Sequence, residues 1–75
     1  MYGKYAPHPI RVWRESQQLS HRQAAELFGV DRATVLRWEN GTKRIGPHIL
    51  PLVAEKTGIA PARLRPDLAA LFLSE

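Results

Sequence analysis

The sequence contains no cysteine and, within its 75 residues, no long apolar run. Without cysteine the chain has neither a disulfide framework nor a thiolate metal site, and nothing indicates an oxidising compartment. The first ten residues, MYGKYAPHPI, lack the apolar stretch of a secretory signal, and no stretch of about 18 apolar residues follows. We therefore expect a protein that neither spans a membrane nor is exported, and a cytoplasmic location is the simplest interpretation.

Groupings of catalytic or metal-binding residues are also missing. The three histidines, His8, His21 and His48, do not have metal-ligand spacing, so we predict no zinc site. No nucleophile, base and orienting residue can be grouped from the sequence, and a chain of this length leaves little room for a substrate cleft. We therefore expect neither an enzyme nor a bound cofactor.

Positive charge is concentrated in the first part of the chain. Through residue 44, eight Lys and Arg residues stand against four acidic residues, whereas from residue 45 onward there are three of each. A basic patch of this kind is typical of nucleic-acid binders, because cationic side chains neutralise phosphates and release counterions. On charge alone, a solvated basic surface is the alternative.

The spacing of apolar residues predicts an all-α chain, a compact bundle of four to five short helices without strands. Residues 1–9 contain two prolines and no apolar period, which indicates an extended N-terminal arm before a single domain over 10–75. The first helix is predicted over 10–17, with Trp13 as its main core anchor.

The second half of the chain is divided by prolines. A fourth helix is predicted from Pro47, with Pro51 about four residues in, and it should bury Ile49, Leu50, Leu52 and Val53. It should end at Thr57 and Gly58. Because Pro66 interrupts the remaining segment, we predict short helical stretches over 62–65 and 67–73.

Two helices joined by a short turn are predicted in the middle of the chain. Ser20 and Gln23 have the spacing of a capping box, which indicates that a second helix starts there. Gly29 suits the left-handed conformation after that helix, and Asp31 is a good N-cap for a third helix over 32–40. A helix pair with a three-residue, glycine-containing turn is the geometry that lays a second helix in the major groove of DNA.

The segment from Ser20 to Gly41 closely resembles the helix-turn-helix of the Cro/cI-type (XRE) repressor family. The match is carried by the small, glycine and apolar residues Ala25, Gly29 and Val35 and by the ending Trp-Glu-Asn-Gly. It covers about residues 10–64 and implies a lambda-repressor-like DNA-binding domain that acts as a sequence-specific transcriptional regulator, in most cases a repressor.

The same resemblance assigns a structural role to two charged residues. In that family an arginine of the first helix and a glutamate at the end of the third form an ion pair, and Arg14 and Glu39 occupy those positions. The tail over 57–68 is similar to the end of short Cro-like or YdaS-like regulators from phages and prophages. That likeness implies a part in a genetic switch or in an antitoxin-like circuit.

Four residues of the third helix are predicted to read bases. Arginine can reach guanine O6 and N7 together in the major groove, whereas a methyl group can touch thymine and a hydroxyl can bond a base or a phosphate. The alternatives are solvated arginines and, for the threonine, a local backbone hydrogen bond. The predicted base-reading residues are Arg32, Ala33, Thr34 and Arg37.

A second set is predicted to bind phosphates and so to fix register without reading sequence. The family commonly has a phosphate-binding glutamine where this chain has His21, so the resemblance implies a phosphate contact there. An imidazole in place of the amide would make that contact depend on pH. An ordinary polar loop is the alternative for the residues after the third helix, and Lys4 of the arm is a further candidate. The predicted phosphate-binding residues are His21, Arg22, Asn40, Thr42, Lys43 and Arg44.

The C-terminal residues form an apolar cluster larger than one small domain is expected to cover fully, and it either caps the core of the monomer or meets the same surface on a second subunit. Leu68, Leu71, Phe72 and Leu73 are candidates for the contact of a homodimer, since paired recognition helices read a palindromic operator in double-stranded DNA. The alternative is a protein-interaction module whose C-terminal segment binds a toxin or another protein. Leu27 and Leu36 are apolar at positions that this interpretation does not explain.

Overall fold

The computed structural model of the chain describes residues 7–68. Within this range the chain forms five α-helices and one 3₁₀ turn and no strand, which confirms the prediction of an all-α fold. None of these helices is long and apolar enough to cross a bilayer. Lys4, Leu71, Phe72 and Leu73 lie outside the described residues. The elements are α1 (Pro9–Ser16), α2 (His21–Phe28), α3 (Arg32–Asn40), α4 (Leu50–Thr57), α5 (Pro61–Leu64) and the 3₁₀ turn Pro66–Leu68.

Helix α1 begins one residue earlier than predicted, inside the segment expected to be extended. Pro9 takes the first helical position, where its missing N–H costs nothing, and the Nδ1 atom of His8 accepts a hydrogen bond from the Ile10 N–H at 3.1 Å. The prediction that Trp13 is the main core anchor was wrong in part. Trp13 is only half-buried, and Ile10 is the fully buried residue of the helix.

The burial of His8 predicts that the stability of the domain depends on pH. Burial lowers the pKa of His8, against the raising effects of a hydrogen bond to the Leu64 backbone and of the Glu39 charge. As the pH falls below the ordinary histidine pKa of about 6.5, His8 therefore takes up a proton more readily in the unfolded chain than in the folded one. This proton uptake favours unfolding. We expect the free energy of unfolding in urea to fall between about pH 7.5 and about pH 5.5.

The matched variant is His8→Asn, which keeps a side chain able to cap the helix but has no titrating group. Its free energy of unfolding should fall less over the same pH range. An identical fall in both proteins would assign the pH dependence to other groups.

Local capping defines α2 and α3 as predicted. The Ser20 Oγ accepts from the Gln23 N–H at 3.1 Å, and the Gln23 Oε1 accepts from the Ser20 N–H at 2.8 Å. Gly29 ends α2 with a φ of 71°, a conformation that favours glycine. The Asp31 Oδ1 then accepts from the Thr34 N–H at 3.0 Å and starts α3. The turn between the two helices is therefore set by residues within it.

The core is formed by residues from α1 to α5 and from the loop before α4. Phe28 lies near its centre, with its ring centroid 5.6 Å from that of Trp13 and 6.0 Å from that of Trp38. Ring contacts thus join α1, α2 and α3, while α4 contacts α2 and α5, and α5 contacts α1. The buried apolar residues are Ile10, Ala24, Ala25, Phe28, Val35, Trp38, Ile45, Leu50, Val53 and Leu64.

Helix α4 begins at Leu50, three residues after the predicted start. Pro47 instead lies in a turn in which the N–H groups of Ile49 and Leu50 both donate to the Gly46 carbonyl, at 3.1 and 2.9 Å. Pro51 then falls in the first helical turn, where a missing N–H is tolerated. This shift leaves Leu52 exposed and Ile49 half-buried, although both were expected in the core.

The prolines also set the elements that follow. Pro61 takes the first position of α5, so this helix runs one residue ahead of the predicted 62–65, and Pro66 prevents its continuation. Of the predicted final stretch over 67–73, the structure describes a 3₁₀ turn ending at Leu68, whose side chain packs against the core.

Candidate nucleic-acid interface

The outer face of α3 is a strip of exposed residues at helical spacing. Val35, Trp38 and Glu39 are buried on the opposite face and anchor the helix to the core. Because residues three and four apart share a face, Arg32, Ala33, Arg37 and Asn40 lie along the outward side, where all four are exposed. Two arginines and a small residue are thus presented on a helix whose position the core fixes.

Thr34 lies at the edge of this strip and is half-buried. Its hydroxyl donates to the Asp31 carboxylate, and its N–H donates to the same oxygen. These bonds, the hydroxyl first, hold the pKa of Asp31 below its ordinary value. The hydroxyl proton of Thr34 therefore serves the helix cap through a bond to a side chain, whereas the alternative interpretation expected a local bond to the backbone.

The loop after α3 is tied to the end of the helix. The Lys43 N–H donates to the Arg37 carbonyl at 3.2 Å, and the Asn40 Oδ1 accepts from the Thr42 N–H at 2.9 Å. The side chains of Thr42, Lys43 and Arg44 are exposed. The predicted phosphate-binding residues of this loop thus lie next to the outward strip of α3.

Arg65 bonds this loop to the segment after α5. The sequence interpretation did not single this residue out. Its buried guanidinium donates through Nη1 to the Ile45 carbonyl and through Nε and Nη2 to Asp67, at 2.9 and 2.6 Å. The bonds from Arg65 lower the pKa of Asp67 to about 2. Asp67 also lies 3.4 Å from Nη1 of Arg44, so this exposed arginine has a carboxylate beside it. The bond between Arg65 and Ile45 spans 20 residues, and no local pattern indicates it.

Arg14 and Glu39 form a bidentate ion pair between α1 and the end of α3. The Arg14 Nε donates to Glu39 Oε2 at 2.6 Å, and the Arg14 Nη2 donates to Oε1 at 3.2 Å. The third guanidinium nitrogen donates to the Leu19 carbonyl at 2.8 Å. The hydrogen bonds that Arg14 donates to Glu39 raise the pKa of Arg14. Because Glu39 is on the buried face of α3, this pair supports the helix from within.

His21, predicted to bind a phosphate, also reaches this pair. Its Nε2 lies 3.1 Å from Glu39 Oε1, at the first position of α2, and 29% of its side chain is exposed. The contact with Glu39 was not predicted, and it engages one of the two ring nitrogens. The next residue, Arg22, is exposed on α2.

Comparison with known proteins places the chain in a family. A family model described as helix-turn-helix matches residues 10–64, the range that holds all five helices except the first residue of α1. No curated protein and no solved structure matches the chain significantly. The matched range covers most of the chain and includes the turn at Gly29, the exposed strip of α3 and the loop after it. The chain therefore belongs to the XRE-type helix-turn-helix family of DNA-binding transcription regulators.

Proposed function

We propose that this protein is a sequence-specific repressor that places α3 in the major groove of an operator. The observation that carries the proposal is the division of α3 into a buried face and an outward strip with two exposed arginines. Each arginine can donate two hydrogen bonds to O6 and N7 of a guanine. Ala33 and the methyl group of Thr34 contact thymine methyl groups beside them.

Contacts to phosphates fix the register of α3 in the groove. Asn40, Thr42, Lys43 and Arg44 contact the backbone beyond the end of α3, while His21 and Arg22 contact it from the start of α2. Such contacts supply affinity that depends on salt but do not distinguish sequences.

The operator is palindromic and is bound by a homodimer. One recognition helix reads too few base pairs for good discrimination, whereas two helices about 34 Å apart read both half-sites. The dimer contact is formed by Leu71, Phe72 and Leu73, together with the part of Leu68 that its packing against the core leaves exposed. The protein acts in the cytoplasm at the nucleoid, in the Cro-like branch associated with phages and prophages.

Selection of bound sequences from a random duplex library tests this function. The expected result is a short palindromic motif, and affinity for each selected duplex should fall steeply as salt is raised. Recovery of no preferred sequence would contradict the proposal. It would favour the alternative of an antitoxin-like module whose apolar C-terminal segment binds another protein.

Replacement of Lys43 by alanine tests the phosphate contacts separately. We expect weaker binding to the selected operator and to random duplex by the same factor, and a slope of log affinity against log salt that is smaller by about one. Titrations at four salt concentrations measure both. Lys56→Ala, which removes an exposed lysine of α4, is the control and should change neither value. A loss confined to the operator would show that Lys43 reads bases.

A further inference from the structure

Leu36 lies on the same face of α3 as the outward strip but is not packed against the core. It is half-buried, and it is neither part of the core nor one of the apolar residues packed against the core. Single apolar residues at protein surfaces are common, so partial exposure alone would carry no conclusion. What distinguishes Leu36 is its position among the residues proposed to enter the groove.

The helical register places Leu36 in the middle of that strip. It follows Arg32 by four residues and Ala33 by three, and it precedes Asn40 by four, so it shares a face with each of them. Val35 and Trp38 supply the apolar contacts of α3 with the core. Leu36 is therefore the large apolar side chain that α3 presents between its two arginines.

We propose that Leu36 is a specificity-determining residue that contacts the C5-methyl group of a thymine in the operator. Thymine is the base that presents a methyl group in the major groove, so an apolar side chain there favours thymine over the other bases. The proposal rests on the proposed function, since it requires α3 to lie in that groove. It assigns to Leu36 a contact that the arginines cannot make, because a guanidinium recognises acceptor atoms.

Replacement of each operator thymine in turn by deoxyuridine, which lacks only the methyl group, tests the contact. At the thymine beneath Leu36 in each half-site the wild-type protein should lose affinity by about fourfold, the value of burying one such group. Losses at thymines beneath Ala33 or Thr34 are recognised because they persist in Leu36→Ala. Leu36→Ala should bind the thymine operator more weakly by a similar factor or more and should bind the two duplexes equally. Alanine is the best helix former, so this variant retains α3, which circular dichroism checks.

Leu27→Ala is the matched control, since Leu27 is an exposed leucine of α2 that lies off the strip. It should retain the thymine preference in full. Wild-type protein that binds thymine and deoxyuridine duplexes equally at every position would overturn the assignment of Leu36. A selected operator without thymine beneath α3 would also overturn it.

The two proposals fail in different ways. If a specific operator is selected but no thymine methyl group distinguishes the wild type from Leu36→Ala, the proposed function stands and the role of Leu36 does not. If no operator is selected, both fail.

Discussion

Replacement of Glu39 by alanine is expected to lower the free energy of unfolding by about 3–5 kcal/mol. The Glu39 side chain is 6% exposed and that of Arg14 is 11% exposed, so both charges have lost most of their hydration. Without Glu39, the Arg14 guanidinium keeps its bond to the Leu19 carbonyl but has no buried counter-charge. Small domains have a free energy of unfolding of only about 5–15 kcal/mol, so this loss removes a large part of it. Thermal and urea denaturation measure the loss.

The chain offers a matched control in the ion pair of Arg11 and Glu15. It also joins an arginine to a glutamate, but both side chains are more than half exposed. Arg11→Ala removes this pair without touching Arg14, and it should cost less than about 1 kcal/mol because solvent already screens the pair. Glu15 is left in place because it also lies 3.9 Å from Nη2 of Arg14. The double variant Arg14→Met/Glu39→Leu should recover part of the loss, since it leaves no unpaired buried charge. A folded Glu39→Ala protein with wild-type stability and altered base preference would contradict the structural role of the pair.

Replacement of Arg32 by alanine is expected to lower discrimination between operator and random DNA by about 1–3 kcal/mol. Arg32 is exposed at the first position of α3, and a bidentate contact with guanine is lost with its side chain. Affinity for random duplex should fall much less, because that binding depends on the phosphates. Titration of both duplexes at one salt concentration gives the ratio.

Arg11→Ala is the control for the loss of one positive charge, since Arg11 is an exposed arginine of α1 outside the proposed interface. Its ratio of operator to random affinity should equal that of the wild type. Equal losses on both duplexes for Arg32→Ala would mean that Arg32 contacts phosphate and does not read a base.

The sequence predicted best the elements whose ends depend on nearby residues. The bounds of α3 and the turn at Gly29 follow from side chains that cap the backbone within three residues, as at Asp31 and Ser20. The start of α4 was predicted wrongly because Pro47 and Pro51 both fit a first helical turn. Only the packing of Leu50 and Val53 into the core selects the second of them.

Contacts between distant segments were not predictable from local patterns, and the Arg14–Glu39 pair was expected only from the family resemblance. The bond from Arg65 to the Ile45 carbonyl and the contact of His21 with Glu39 join residues 20 and 18 positions apart. Neither leaves a periodic or capping signal, because both depend on how the helices pack. The exposed residues of α3 were predictable for the opposite reason, since helical register alone separates them from Val35 and Trp38.

The measurement that tests the account most directly removes one acceptor atom from the DNA. Each guanine of the selected operator is replaced in turn by 7-deazaguanine, which lacks N7 in the major groove, and both wild-type and Arg32→Ala proteins are titrated. We expect one guanine in each half-site at which the wild-type protein loses about tenfold in affinity and the variant loses nothing further. If no guanine distinguishes the two proteins, α3 does not read bases through Arg32, and the central claim is wrong.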